Sequence, residues 1–106
     1  MISARCATRR LIYGGQQMPD KSPTTEVHIL KTWPEYFEAV ASGAKTFELR
    51  FDDRGYQVGD HLVLREWSVT EGYTGRVIVK RVSYLVRGGV FGLTEDHVCM
   101  GLQDVE

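Results

Sequence analysis

Cysteine is scarce in this sequence: Cys6 and Cys99 are the two present, far apart and without CxxC spacing. Two such thiols build neither a disulfide framework nor a cysteine-rich zinc site. Cys99 is therefore expected as a buried strand residue and Cys6 as a free thiol in a tail. Histidine is as sparse. His28, His61 and His97 are isolated, and none pairs with another at metal-ligand spacing, so neither a metal nor a cofactor is expected. No hydrophobic run approaches the length of a membrane span. The start, MISARCATRRLIYGGQQ, has arginines but lacks the apolar stretch of a secretory signal, which makes the cytoplasm the expected compartment. Charge of one sign is missing too, with 13 Lys and Arg against 14 Asp and Glu and a formal net charge of −1. No general basic field exists to hold long nucleic acid, so a nucleic-acid role must rest on a local basic cluster or a pocket. Also absent are a phosphate-cradling glycine loop and a nucleophile in a recognisable elbow.

What is present suits one domain. The chain has 106 residues, 42% hydrophobic and 25% charged, enough for a single core without disulfides or a structural metal. Residues 1–25 show neither helical nor strand periodicity and end in the proline-bearing MPDKSPTT. They are expected to be a disordered or leader segment. Glycine codons for Gly14-Gly15 can spell a purine-rich ribosome-binding site shortly before Met18, so Met18 is the expected start. The alternative is a flexible basic arm carrying Arg5, Arg9 and Arg10. Residues 26–106 then form the folded domain.

Within it, Glu26–Lys31 reads as a first strand. Thr32-Trp33-Pro34-Glu35 has the capping-box pattern, and it opens a predicted helix over 32–43. Trp33, Phe37, Val40 and Ala41 give that helix one apolar face, and Gly43 ends it. Lys45 to Phe51 alternates, with Phe47, Leu49 and Phe51 assigned to the core face and Thr46, Glu48 and Arg50 to the opposite one. Turns follow at 52–55 and 58–60, then a strand over 61–67 with Leu62 and Leu64 inward. A turn at 70–72 leads to a long strand over 74–86, which Gly88-Gly89 breaks. A short irregular or helical segment around 91–96 precedes a last strand over 98–102. The expected fold is mainly β (α+β): a small barrel of about five strands with an early amphipathic helix against it.

The densest polar constellation is Lys45, Glu48 and Arg50. Such a group reads a base edge, with Glu accepting from an exocyclic amine and Arg donating a fork to carbonyl or phosphate oxygens. The same pattern equally suits a solvated strand face carrying cross-strand ion pairs. Asp52 and Asp53 lack further oxygen ligands at loop spacing and read as turn formers, with Arg54 beside them a candidate contact. Glu66-Trp67 and Tyr73-Thr74-Gly75-Arg76 interleave aromatics with arginine, as a base-stacking platform requires. Trp67 and Tyr73 also suit the edge of a core.

Gly43-x-Lys45-x-x-Glu48-x-Arg50 after a short helix resembles the GxKxxExR motif of ASCH domains in the PUA-like superfamily. The ordered series His28-Ile-Leu-Lys31, Tyr36-Phe37, Asp53-Arg54-Gly55-Tyr56, Val58-Gly59-Asp60, Leu64-Arg65-Glu66 and Tyr73–Arg76 extends the likeness over about 27–103. It resembles an ASCH-like family of small bacterial and phage proteins that is itself a domain of unknown function. The resemblance implies a β-barrel with a cleft beside the helix and the motif strand, and RNA or a modified nucleoside as the partner. It casts Lys45, Glu48 and Arg50 as ligand contacts, with Lys31, Arg54, Tyr73 and Arg76 near the same cleft. A second reading is a nucleobase-processing hydrolase, because some ASCH relatives remove acyl groups from the N4 nitrogen of cytidine and others resemble ribonucleases. The amidohydrolases use a lysine that Lys45 matches, but Glu48 stands where they have threonine. Of their later helical insert only Gly88–His97 remains, with Glu95 the one possible substitute. Without the hydroxyl that nucleophilic mechanism does not transfer, which leaves Glu48 as general base and Lys45 on the oxyanion. A protein-binding barrel of phage origin ranks third.

Overall fold

Six elements appear in a computed structural model that describes residues 25–105. The expectations of a leader or disordered segment, a start at Met18, a basic arm and a free Cys6 concern residues outside that range. The elements are β1 (Val27–Thr32), α1 (Pro34–Ala41), β2 (Phe47–Phe51), β3 (His61–Ser68), β4 (Gly72–Arg87) and β5 (His97–Asp104). The strands form one five-stranded mixed sheet in the order β1-β3-β4-β5-β2. β1 runs parallel to β3, and every other neighbouring pair is antiparallel. The fold is mainly β with one early helix, as the sequence suggests. It is a half-barrel: β1 and β2 are the two edges of the sheet and do not pair with each other.

Alternation along the strands selects the core. Leu30 of β1, Leu62 and Leu64 of β3, Val82 of β4, and Val98 and Met100 of β5 all point to one side, where Val40 of α1 and Tyr56 meet them. Full burial of side chains of this kind contributes about 1.5–3 kcal/mol each. The sheet curls around this core with the help of a bulge. Ser83 is the extra residue between the pairs Val82↔Leu102 and Tyr84↔Gly101. A Cβ on Gly101 would lie 2.8 Å from the Ser83 hydroxyl, so a larger residue opposite the bulge would have to turn that hydroxyl aside. Cys99 sits in β5 as expected, but half-buried.

Several expectations need correction. The capping box does not form. Thr32 is the last residue of β1, paired with Glu66 of β3, and Trp33 takes the N-cap position with no side-chain bond to the helix. A residue committed to a strand ladder is not free to cap the next helix, and α1 shrinks to Pro34–Ala41. Phe37 and Val40 are buried, whereas Trp33 and Ala41 face outward. Of the two forms expected for the segment 91–96, irregular or helical, it takes the irregular one, a loop of turns closed by Gly88 N–H to the His97 carbonyl and Gly89 N–H to the Leu93 carbonyl.

The largest correction is on β2, which is inverted relative to the sequence expectation. Glu48 is 4% exposed, while Phe47, Leu49 and Phe51 are 45%, 52% and 54% exposed. Alternation assigns residues to two opposite faces but is silent on which face turns inward. On an edge strand beside an open seam, the charged set turned inward because it neutralises itself there. Among the described residues no helix is long and apolar enough to cross a membrane, and no three His, Cys, Asp or Glu side chains gather as metal ligands do.

Candidate functional site

The unpaired edges of β1 and β2 face each other, and a cleft of about 630 Å³ opens between them. The turn after α1 sets the geometry at one end. Gly43 adopts φ +86°, a left-handed conformation that suits glycine, and the Lys45 N–H then bonds back to the Ala39 carbonyl. This delivers Lys45 to the start of β2. Its ammonium donates to Glu48 Oε1 at 2.9 Å and to the Phe47 carbonyl at 2.8 Å. From two residues further along, Arg50 Nε donates to Glu48 Oε2 at 2.7 Å. Glu48 is thus clamped between two cations, one on each oxygen.

Arg50 also reaches across the seam. Its Nη2 donates to the Lys31 carbonyl of β1 at 2.9 Å and, over a longer 3.4 Å, to the Thr32 hydroxyl. Arg54, in the turn after β2, makes a parallel bridge from Nη1 to the Ile29 carbonyl at 3.3 Å. Two guanidinium groups therefore span the gap that a strand pairing would otherwise close. Tyr56 contributes to the cleft wall and packs edge-on against His28 with ring centroids 4.7 Å apart. Burial pushes its phenol above the ordinary value of 10.0, against the opposing pull of Arg54 and then Arg50. The rim is aromatic: Trp33, Tyr36, Phe47 and Phe51 line the cleft and are each substantially exposed.

Of the residues singled out in the sequence, Lys31, Lys45, Glu48, Arg50 and Arg54 line this one cleft. Tyr73 and Arg76 do not. A second register shift, between Arg65 and Trp67 of β3, lets Thr74 donate to Glu66 Oε1 at 2.7 Å. Arg76 lies 3.6 Å from the same carboxylate and pairs with Glu38 of α1. Tyr73 is covered by Arg65, whose guanidinium carbon lies 3.9 Å from the ring centre. The expected platform at 66–76 is a network closed on itself. Trp67 is likewise occupied, by the Lys31 ammonium 4.2 Å from its ring centre. Of the two carboxylates read as turn formers, Asp52 holds Arg87, which also donates to the Tyr56 carbonyl. Asp53 lies 3.7 Å from Arg54.

Sequence reasoning missed the aromatic rim. Trp33 was assigned to the helix stripe, and Phe47 and Phe51 to the core. The one available signal was Tyr36, which stands off the apolar face of α1.

Residues 27–102 match the family described as Domain of unknown function (DUF3850). The chain belongs to the DUF3850 family. The cleft-lining residues, from Leu30 to His97, all fall inside the matched segment of this DUF3850 chain. The chain is also similar to the "Uncharacterized 12.9 kDa protein in GpA 3'region" of Escherichia phage P2, with 40% identity over 58 residues. That alignment covers 55% of this chain and 52% of the phage protein, so the chain spans about half the length of this curated relative.

Proposed function

We propose that this DUF3850 chain is an ASCH-type, PUA-like half-barrel that binds RNA or a modified nucleoside in the β1–β2 cleft, working in the cytoplasm. The observation that carries the reading is the composition of the cleft. Three cations, Lys45, Arg50 and Arg54, stand among four exposed aromatic rings, Trp33, Tyr36, Phe47 and Phe51, with Lys31 at the edge of the cleft and its ammonium on Trp67. Aromatic faces stack on bases whatever their sequence, at about 1–3 kcal/mol per base, and cations between them hold the backbone or carbonyl oxygens. The net charge of −1 is consistent with a local site of this kind.

The hydrolase reading draws less support. A general base needs a water within reach, and Glu48 is 4% exposed, with Lys45 on one oxygen and Arg50 on the other. An amide NMR titration of the full chain with a panel of nucleosides and short single-stranded RNAs tests the proposal. Shifts confined to residues 31–36, 45–56 and 97 are the expected result. A spectrum unmoved by every member of the panel would refute it.

A further inference from the structure

We infer that the cleft takes hold of its ligand through an anionic group, a phosphate, lodged between Arg50 and Arg54. The inference rests on the nucleic-acid reading only for what carries the phosphate. Its basis is a count of donors and acceptors along the seam. The Glu26 carbonyl bonds the His61 N–H, so on β1 the backbone groups of 28, 30 and 32 face β3, and those of Val27, Ile29 and Lys31 face away from it, the last two within reach of Arg54 and Arg50. On β2 the Thr46 carbonyl bonds the Leu102 N–H, so Phe47, Leu49 and Phe51 turn their backbone groups to the seam.

Of the carbonyls of Ile29, Lys31, Phe47, Leu49 and Phe51, four are already taken. Arg54 holds that of Ile29, Arg50 that of Lys31, Lys45 that of Phe47, and the Asp53 N–H that of Phe51. The Glu48 carboxylate is clamped on both oxygens. What the seam still offers is donors: backbone N–H groups of both edges, and guanidinium nitrogens. Arg50 Nη1 and Arg54 Nη2 have no hydrogen-bond partner among the described residues. Between Arg50 and Arg54 a ligand is met mainly by donors, which favours one that brings acceptors. An exocyclic amine finds the Leu49 carbonyl, the second lone pairs of Glu48 and, at the rim beside Arg54, the Asp53 carboxylate.

Charge and spacing narrow the acceptor to an oxyanion. The cleft holds three cationic heads, Lys45, Arg50 and Arg54, against two carboxylates, Glu48 and Asp53, within a chain of net charge −1. The carbonyls that anchor the two guanidinium groups are two residues apart on β1, about 7 Å along the strand. One tetrahedral phosphate, with a charge-assisted bond of about 2.8 Å on either side, bridges a gap of that size.

The experiment compares uridine and adenosine with their 5′-monophosphates, and adds inorganic phosphate alone, by calorimetry and by side-chain Nε–H NMR of the full chain. The monophosphates should bind about tenfold more tightly than the nucleosides at low salt, and inorganic phosphate should move the Arg50 and Arg54 signals. Arg54→Gln, in an exposed turn, should remove most of the monophosphate advantage, and Arg76→Gln should leave it intact. Equal affinity for nucleoside and monophosphate, with the cleft signals moving, would overturn the phosphate subsite and leave nucleoside binding standing. A response to phosphate without any to the nucleosides would support the subsite and count against base recognition. An advantage that survives Arg54→Gln overturns the placement at Arg54. Silence toward every probe overturns both.

Discussion

Glu48 and Glu66 are both buried carboxylates with an arginine beside them, yet their surroundings end differently. Glu66 lies on β3, flanked by β1 and β4. Thr74 and Arg76 come to it from the bulged side of β4, and Glu38 of α1 pairs with the outer side of Arg76. Every charge there meets another. Glu48 lies on β2, whose second flank has no strand. Its two cations hold it equally well, but beyond them is the cleft, and Arg50 and Arg54 keep nitrogens facing it. A strand neighbour closes a polar network, and a missing one leaves the same chemistry available to a ligand. Thr32 stands between the two, paired with Glu66 in the ladder and accepting from Arg50 through its hydroxyl.

Glu48→Ala is the harshest way to break this contrast. It strands two cations at a half-buried seam and should lower stability by about 3 kcal/mol in urea unfolding, the range for removing one partner of a buried pair. A loss under about 1 kcal/mol would mean that Lys45 and Arg50 simply turn to water, and that the clamp is weaker than its geometry. Nucleotide binding by this variant should fall as well. Glu66→Ala should cost about 1 kcal/mol, the net worth of the lost hydrogen bond from Thr74, whose exposed hydroxyl turns to water, while leaving nucleotide affinity unchanged. Affinity that falls with Glu66 would show the two networks to be one.

Thr32→Val sharpens the comparison at its hinge. The volume is kept and a single long acceptor for Arg50 is lost, so stability should change by about 0.5 kcal/mol or less. The Arg50 Nε–H signal should move and the Arg76 signal should not. The smallest effect near neutral pH concerns Tyr56. Its folded-state value lies above 10.0, so its stabilising contribution is complete below that pH and is lost as pH rises through the folded value. Phenolate absorbance of Tyr→Phe variants identifies it, and Arg54→Gln should push it higher still by removing the larger of two opposing positive charges.

The strands of this fold were legible wherever one face meets the core and the other meets water. Leu62 and Leu64 were placed correctly because β3 is central, with its inner face against buried residues. β2 reads upside down for the opposite reason: beside an open seam its apolar face stays half exposed and its charged face is buried by mutual neutralisation, so hydrophobicity no longer says which is inside. Thr32 illustrates a competition between two uses of one residue, strand end and helix cap, which local pattern cannot decide. Of the site, the cluster Lys45, Glu48 and Arg50 was legible because i, i+3 and i+5 spacing on a short turn and strand forces proximity. Arg54 and Lys31 joined it through topology alone. Tyr73 and Arg76 fell elsewhere because a register shift, invisible in the spacing, turned them toward Glu66 and Arg65.

The arginine bridges across the seam have a consequence unrelated to any ligand. A sheet that ends in two bare edges offers each of them as a template on which another chain can lay a strand, the first step of aggregation. A docking strand must match alternating N–H and carbonyl groups. On β1 the carbonyls of Ile29 and Lys31 lie under guanidinium groups, and on β2 that of Phe47 lies under an ammonium. The alternation is spoiled on both sides at once, so the half-barrel stays open without inviting a neighbour to complete it.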